Sequence, residues 1–237
     1  MKLSAPIFHL KRRAKLLSRK EKIPLHEALD RVAEAEGFRK WSLLSATASG
    51  AIAGGELINQ FCPGDMVLLG SRPGHGKTVM GLGLLVEAMR AGKRAVFFTL
   101  EYSTKDVTNL LRAVGVQQGQ FDTLLEFDCS DEISAEFIIK RMGDARYGTV
   151  AVIDYLQLLD QHRQKPPLMD QILALKAFAQ EKGLIFIFLS QIDRSYDSST
   201  KSIPDLQDVR LPNPLNLSLF NKTCFLHAGE VRLRTVS

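Results

Sequence analysis

The chain has 237 residues, 45% of them apolar and 24% charged, with a net charge of +5. That is enough for one sizeable α/β domain and an appendage, because domains commonly run to about 100–200 residues, and it excludes a disulfide-stapled miniprotein or a disordered tail. The longest unbroken apolar run, 184–189, is far below the ~20 residues of a membrane helix, and the first ten residues lack a secretory apolar core, so a soluble cytoplasmic protein without a membrane partner is expected.

The positive charge is N-terminal: residues 1–48 hold eleven Lys/Arg against five Asp/Glu, and the rest of the chain holds twenty against twenty-one. Lys11, Arg12, Arg13, Lys15, Arg19, Lys20 and Lys22 form a dense basic run suited to nucleic acid or an acidic protein partner, or else a solvated helix face or floppy arm. From Pro24, the residues Leu25, Ala28, Leu29, Val32 and Ala33 recur at helical spacing, with Gly37 as the stop; Phe38, Trp41, Leu43 and Leu44 suggest a second short helix. So small a pair is expected to dock on the larger domain or on a neighbouring subunit. An uncharged Ser/Ala/Thr/Gly stretch ending at Gly55 reads as a linker, giving a basic helical segment 1–48, a linker 49–55 and a main domain 56–237.

In the main domain, short apolar runs at Met66–Leu69, Ala95–Leu100, Val150–Ile153 and Leu184–Leu189 alternate with helical stretches at Val79–Arg90, Thr104–Val114, Ser134–Gly143 and Met169–Lys182. Strands apolar throughout belong in a sheet covered on both faces, so the fold class is α/β with a mostly parallel sheet. The end of the chain reads differently, as an antiparallel hairpin of Cys224–Leu226 and Val231–Thr235 around Ala228-Gly229. Cys62, Cys129 and Cys224 are an odd number at spacings unsuited to structural zinc, which points to a reducing compartment.

The strongest chemical signal is SRPGHGKT at 71–78, directly after a strand and directly before a helix. A phosphate-binding loop needs this layout: backbone N–H groups and a helix N-terminus make an anion cradle, a lysine reaches the outer phosphates and a hydroxyl holds Mg²⁺. Ser71, Arg72, Pro73, Gly74, His75, Gly76, Lys77, Thr78 and Val79 are therefore the candidate ATP-binding residues, and the Lys77 charge is expected to point into the phosphate site with no core role. Ser71 replaces the motif's first glycine, and Gly70 sits one place earlier; that position is at the loop's entry, so Gly74 and Gly76 suffice for backbone freedom. Asp154 ends an apolar strand, where open α/β sheets bind ligands, and with Thr78 is a candidate for Mg²⁺. Glu101, also at a strand end, can orient water, or serve simply as a first-turn glutamate before Ser103. Gln191 at the end of IFIFLSQ can sense the γ-phosphate.

The runs SRPGHGKT, FFTLEYS, VIDYLQLL and FLSQIDR, in this order and spacing, resemble the ATPase domain of DnaB-type replicative helicases over about residues 56–228. The resemblance implies a RecA-like P-loop NTPase fold, ATP and Mg²⁺ as ligands, Lys77 and Thr78 on phosphate and metal, Asp154 on metal, Glu101 as catalytic base and Gln191 as sensor. It also implies DNA as partner, single strands favoured, and self-association through the ATP site. The loops it aims at DNA carry only Arg163 and Lys165, then Arg194 and Lys201; with Arg12 and Arg13 these are the candidate DNA contacts. The family's N-terminal domain and linker helix are replaced here by the basic segment, and its Lys-x-Arg finger has no clear counterpart, leaving Arg210, Arg232 and Arg234 as candidates. Two functions stand: an ATP-hydrolysing helicase-like protein acting on DNA, or a nucleotide-dependent regulator or loader that unwinds nothing. A small-molecule kinase would need a lid and substrate pocket that the sequence does not offer.

Overall fold

The computed structural model describes residues 4, 5, 7–38, 41, 44, 55, 57–73, 75–117, 119–160, 166–193, 195, 196, 201, 203–211, 213–227 and 230–236. The expected linker 49–55, apart from Gly55, most of the second short helix at 38–44 and the Ala228-Gly229 turn lie outside the described residues.

The sheet comprises β1 (Met66–Ser71), β2 (Ala95–Thr99), β3 (Leu125–Asp128), β4 (Val150–Asp154), β5 (Ile185–Gln191), β6 (Lys222–His227) and β7 (Glu230–Thr235), in the order β3-β2-β4-β5-β1-β6-β7. All neighbouring pairs are parallel except β6 with β7. The four strands legible as unbroken apolar runs, β1, β2, β4 and β5, are the central ones, buried almost throughout. Helices α3 (Lys77–Arg90) and α4 (Thr104–Ala113) contribute to the apolar cluster on one face, and α5 (Ala135–Arg141) and α6 (Leu168–Lys182) to that on the other. This is the two-sided burial that a parallel sheet requires.

Two strands run further than their apolar residues suggest. β1 extends to Ser71 and β5 to Gln191 because these polar residues still pair in the ladder, Ser71 opposite Gln191. β3 is not among the strands expected from the apolar runs. Its LEFD alternates apolar and acidic residues, which are poor strand formers; the acids are instead taken up by arginines, Glu126 by Arg94 and Arg141, Asp128 by Arg141.

At the N-terminus, α1 (Ile7–Glu21) precedes α2 (Leu25–Ala35). The basic run is thus a helix of its own, and the partner of α2 is α1: Leu10 and Ala14 are buried against Ala28, Val32 and Ala33, with Phe38 and Leu44 completing a cluster distinct from the two on the sheet. No helix of the described residues is long and apolar enough to cross a membrane.

Candidate nucleotide site

β1 delivers the chain to the carboxyl end of the sheet. Gly70 is forced there by space: a Cβ would stand 2.7 Å from Phe225 Cε1 and 3.1 Å from Ile192 Cδ1, both large side chains of the same layer. The glycine one place early is therefore a packing requirement of β1. Ser71 is still strand, buried, its hydroxyl donating to the Arg72 carbonyl at 3.1 Å. The loop proper then begins at Arg72. Gly74 lies outside the described residues. Gly76 has φ 88°, the left-handed region in which a side chain would be strained, and it caps α3 without any side-chain hydrogen bond.

The first helical bond of α3 runs from the Met80 N–H to the Gly76 carbonyl. The amides of Lys77, Thr78 and Val79 consequently have no acceptor within the helix, and the positive end of its dipole points the same way. That is the donor set an anionic phosphate chain needs.

The residues expected to carry the chemistry converge, apart from Gln191. Helix α3 lies close on the sheet because Gly81 faces β4 and β5; a Cβ there would be 3.1 Å from Val152 and 3.2 Å from Leu189. One turn earlier, the Thr78 hydroxyl donates to Asp154 Oδ2 at 2.7 Å, and Lys77 Nζ lies 3.2 Å from Asp154 Oδ1 and 3.4 Å from Glu101 Oε2. Asp154 is fully buried at the tip of β4. Glu101 sits two residues beyond β2, its N–H donating to Thr99 Oγ1 at 3.1 Å, and the following Ser103 forms a capping box with Asp106 at the start of α4.

Lys77 is not an exposed charge waiting in a loop, as its place in the motif suggests. It is 8% exposed and clamped between two carboxylates, so it has a structural role in addition to any part in ligand binding. Burial alone would depress its pKa, but Asp154 and then Glu101 outweigh that and hold it above the ordinary lysine value. Two aromatic residues that sequence reasoning passed over complete the wall. Tyr155 places its ring 5.2 Å from Lys77 Nζ, and Tyr102 has a hydrogen bond with Thr78, its phenol pushed up mainly by burial. Both directly follow a carboxylate already singled out, in LEY and IDY, and that adjacency was the available signal.

The hard oxygens of Thr78 and Asp154 fit Mg²⁺, which takes few protein ligands and retains waters. Gln191 stands apart from this group. It ends β5 and accepts from Arg210 Nη1 at 3.4 Å, while the Arg210 N–H donates to its carbonyl at 2.8 Å. Gln157 ties the turn after β4 to the same place, donating to Ser190 Oγ at 3.1 Å and to the Arg210 carbonyl.

Of the candidate DNA contacts, Arg163, Lys165 and Arg194 lie outside the described residues. Lys201 is engaged at 2.7 Å by both Asp205 and Asp208. Arg12 is exposed on α1, whereas Arg13 lies 3.6 Å from Glu36. Arg232 and Arg234 project from the edge strand β7 and are exposed.

A strand, a glycine-containing loop and a helix opening in Lys-Thr, facing an acid at the tip of a nearby parallel strand, define a RecA-like P-loop NTPase fold. The chain is similar to DnaB replicative helicases over about three quarters of its length: to that of Helicobacter pylori (strain J99 / ATCC 700824), 25% identical over 209 residues, covering 74% of this chain and 43% of the relative. Against the DnaB of Synechocystis sp. the identity is 27% over 177 residues, covering 62% of this chain and 20% of the relative. The chain thus spans less than half the length of these curated relatives. Among solved structures it matches an ATPase domain with a TM-score of 0.57 at 20% identity, covering 76% of this chain and 75% of that one. A DnaB-like replicative helicase, solved in a study of its interactions with primase, matches with a TM-score of 0.56 at 20% identity, covering 69% and 47%. No family model matches the chain.

Proposed function

We propose that this chain binds Mg-ATP at the Lys77–Thr78 helix start and hydrolyses it, as a DnaB-like protein acting on DNA. The observation that carries the reading is the convergence of Lys77, Thr78, Glu101 and Asp154 within hydrogen-bonding reach at the sheet's carboxyl end. In this reading the amides of Lys77, Thr78 and Val79 take the inner phosphates, while Lys77 exchanges its carboxylate partners for the outer phosphate oxygens. Thr78 and Asp154 would hold Mg²⁺, which would supply neutralisation of the phosphate charge. Glu101, released by the lysine, orients the attacking water and accepts its proton. Gln191 reports the γ-phosphate to Arg210 and to the segment beyond β5.

The test is the rate of ATP turnover with and without single-stranded DNA, measured alongside mass in solution by light scattering. Turnover stimulated by DNA supports the reading; a folded chain that neither binds nor hydrolyses ATP refutes it. A second reading, a nucleotide-dependent regulator or loader without unwinding, is favoured by the engagement of Lys201 and Arg210 within the chain. It predicts slow, DNA-independent turnover by a monomer or weak oligomer, and a stable hexamer without nucleotide would count against it.

A further inference from the structure

Four side chains stack in series at the phosphate loop, two of them its own. The Arg72 guanidinium lies over the Tyr196 ring, Cζ 5.7 Å from its centroid. Tyr196 meets His227 edge to face at 5.6 Å, and His227 stacks on His75 at 5.9 Å with planes 14° apart. Arg72 and His75 stand on either side of Gly74 in the loop, Tyr196 belongs to the segment after β5, and His227 ends β6.

The two wall residues are themselves anchored. Tyr196 is 4% exposed and its hydroxyl donates to the Lys201 carbonyl at 2.6 Å; the Lys201 ammonium is held by Asp205 and Asp208. His227 is fixed by β6, whose Leu226 pairs with Ser71 in β1. Among its described residues the loop is tied internally by the His75 N–H to the Arg72 carbonyl at 3.1 Å and by His75 Nδ1 with the Pro73 carbonyl at 3.2 Å, and a phosphate cradle works only if its amides are already convergent. The ring stack adds contacts from outside the loop, one through Arg72 and one through His75.

We propose that Tyr196 and His227 are positioning residues for the phosphate loop, holding its arch through Arg72 and His75 and coupling it to the segment after β5. The proposal rests on reading that loop as the nucleotide site. Coupling of this kind is reciprocal: whatever draws Arg72 or His75 toward a phosphate shifts the packing of Tyr196, and whatever moves Tyr196 alters phosphate affinity.

The experiment is hydrogen–deuterium exchange on the full-length chain carrying Tyr196→Leu, Tyr196→Phe or His227→Leu, with Mg-ATP affinity measured in parallel. A cation–π contact and an aromatic pair correspond to about 5- to 30-fold in an opening equilibrium. Tyr196→Leu and His227→Leu should therefore speed exchange across 71–79 by about that factor, leave β4 and α6 as in the wild type, and weaken Mg-ATP binding to a similar degree. Tyr196→Phe keeps the ring contacts and loses only the hydroxyl anchor to Lys201, so it should fall between the wild type and Tyr196→Leu. Unchanged exchange across 71–79 in both leucine variants would overturn the proposal, as would a rise spread evenly over the sheet or a Tyr196→Phe protein behaving like Tyr196→Leu. Should Tyr196→Leu not fold, His227→Leu at its half-buried position decides the matter alone. Failure of the wild type to bind Mg-ATP would sink the nucleotide reading, while the exchange pattern would still decide whether the loop is latched.

Discussion

Replacing Lys77 with alanine is the usual way to silence a phosphate loop, and in this chain it should also loosen the fold. The substitution leaves Asp154, which is fully buried, with the Thr78 hydroxyl as its remaining short contact and without its lysine counter-ion. Removing one partner of a buried ion pair costs about 3–5 kcal/mol. Glu101 is deprived of a partner too, but at 34% side-chain exposure water compensates it. With a urea dependence of ~2–3 kcal/mol/M, the unfolding midpoint of Lys77→Ala should fall by ~1–2 M. Lys77→Met, which keeps most of the apolar stem, should fall nearly as far, assigning the loss to charge. Adding Asp154→Asn removes the stranded charge while retaining an acceptor for Thr78, so Lys77→Ala/Asp154→Asn should recover most of the midpoint, a coupling that a double-mutant cycle reads directly. Urea titrations without nucleotide keep this effect separate from ATP binding. If the single variant unfolds at the wild-type midpoint and the second substitution restores nothing, Lys77 has no structural role.

The same ion pairing sets a pH limit. The folded-state pKa of Lys77 is raised, so the stabilisation is complete below the ordinary lysine value near 10.5 and disappears as pH climbs through the folded value; thermal melts should show wild type losing stability above about pH 10.5 in excess of Lys77→Met. Glu101→Gln should bind Mg-ATP yet turn it over about 10²-fold more slowly, and a normal rate would reduce Glu101 to a first-turn residue of no catalytic consequence. Gly70→Ala should destabilise by about 1–3 kcal/mol through its 2.7 Å clash with Phe225, with recovery in Gly70→Ala/Phe225→Leu; equal melting temperatures for Gly70→Ala and wild type would disprove the packing argument. Charge reversal of Lys11, Arg12, Lys15 and Arg19 tests the basic helix better than deletion, which would strip α2 of its packing partner. Each phosphate no longer neutralised should lower the log–log salt slope of DNA binding by about 0.9 on duplex or 0.7 on single strands, and an unchanged slope would remove α1 from the DNA argument.

The central strands and the helices between them were legible because burial on both faces leaves only apolar residues to choose from, as in AVFFT and VAVID. The candidate site residues stood out because Glu101, Asp154 and Gln191 each close an apolar stretch and Lys77-Thr78 opens a helix after one. What escaped had its signal masked. In α1, Ile7, Leu10, Ala14 and Leu17 keep a helical spacing that the basic residues between them obscure. β3 is held at the sheet's edge by ion pairs with Arg94 and Arg141, which are distant in sequence. The displaced glycine at position 70 answers to Phe225, a neighbour across β1 and β6, and no local motif can encode such a constraint. The clamp on Lys77 was hidden for a similar reason, since Glu101 and Asp154 come to it from different strands.

Strand β5 lies between β1 and β4, so the phosphate loop and Asp154 rise from strands about 9–10 Å apart at ordinary sheet spacing. The sheet therefore does not gauge the distance between lysine and aspartate. That dimension is set from above, by how far α3 is allowed to sink onto Val152 and Leu189, and the spacer is the missing methyl group of Gly81. The carboxyl end of the sheet behaves like an instrument whose jaw opening is adjusted by one shim several ångströms behind the jaws. A single added carbon at that shim would leave every strand in register and every chemical group present, yet open the jaws by a few tenths of an ångström, enough to lengthen the Thr78–Asp154 bond from its 2.7 Å.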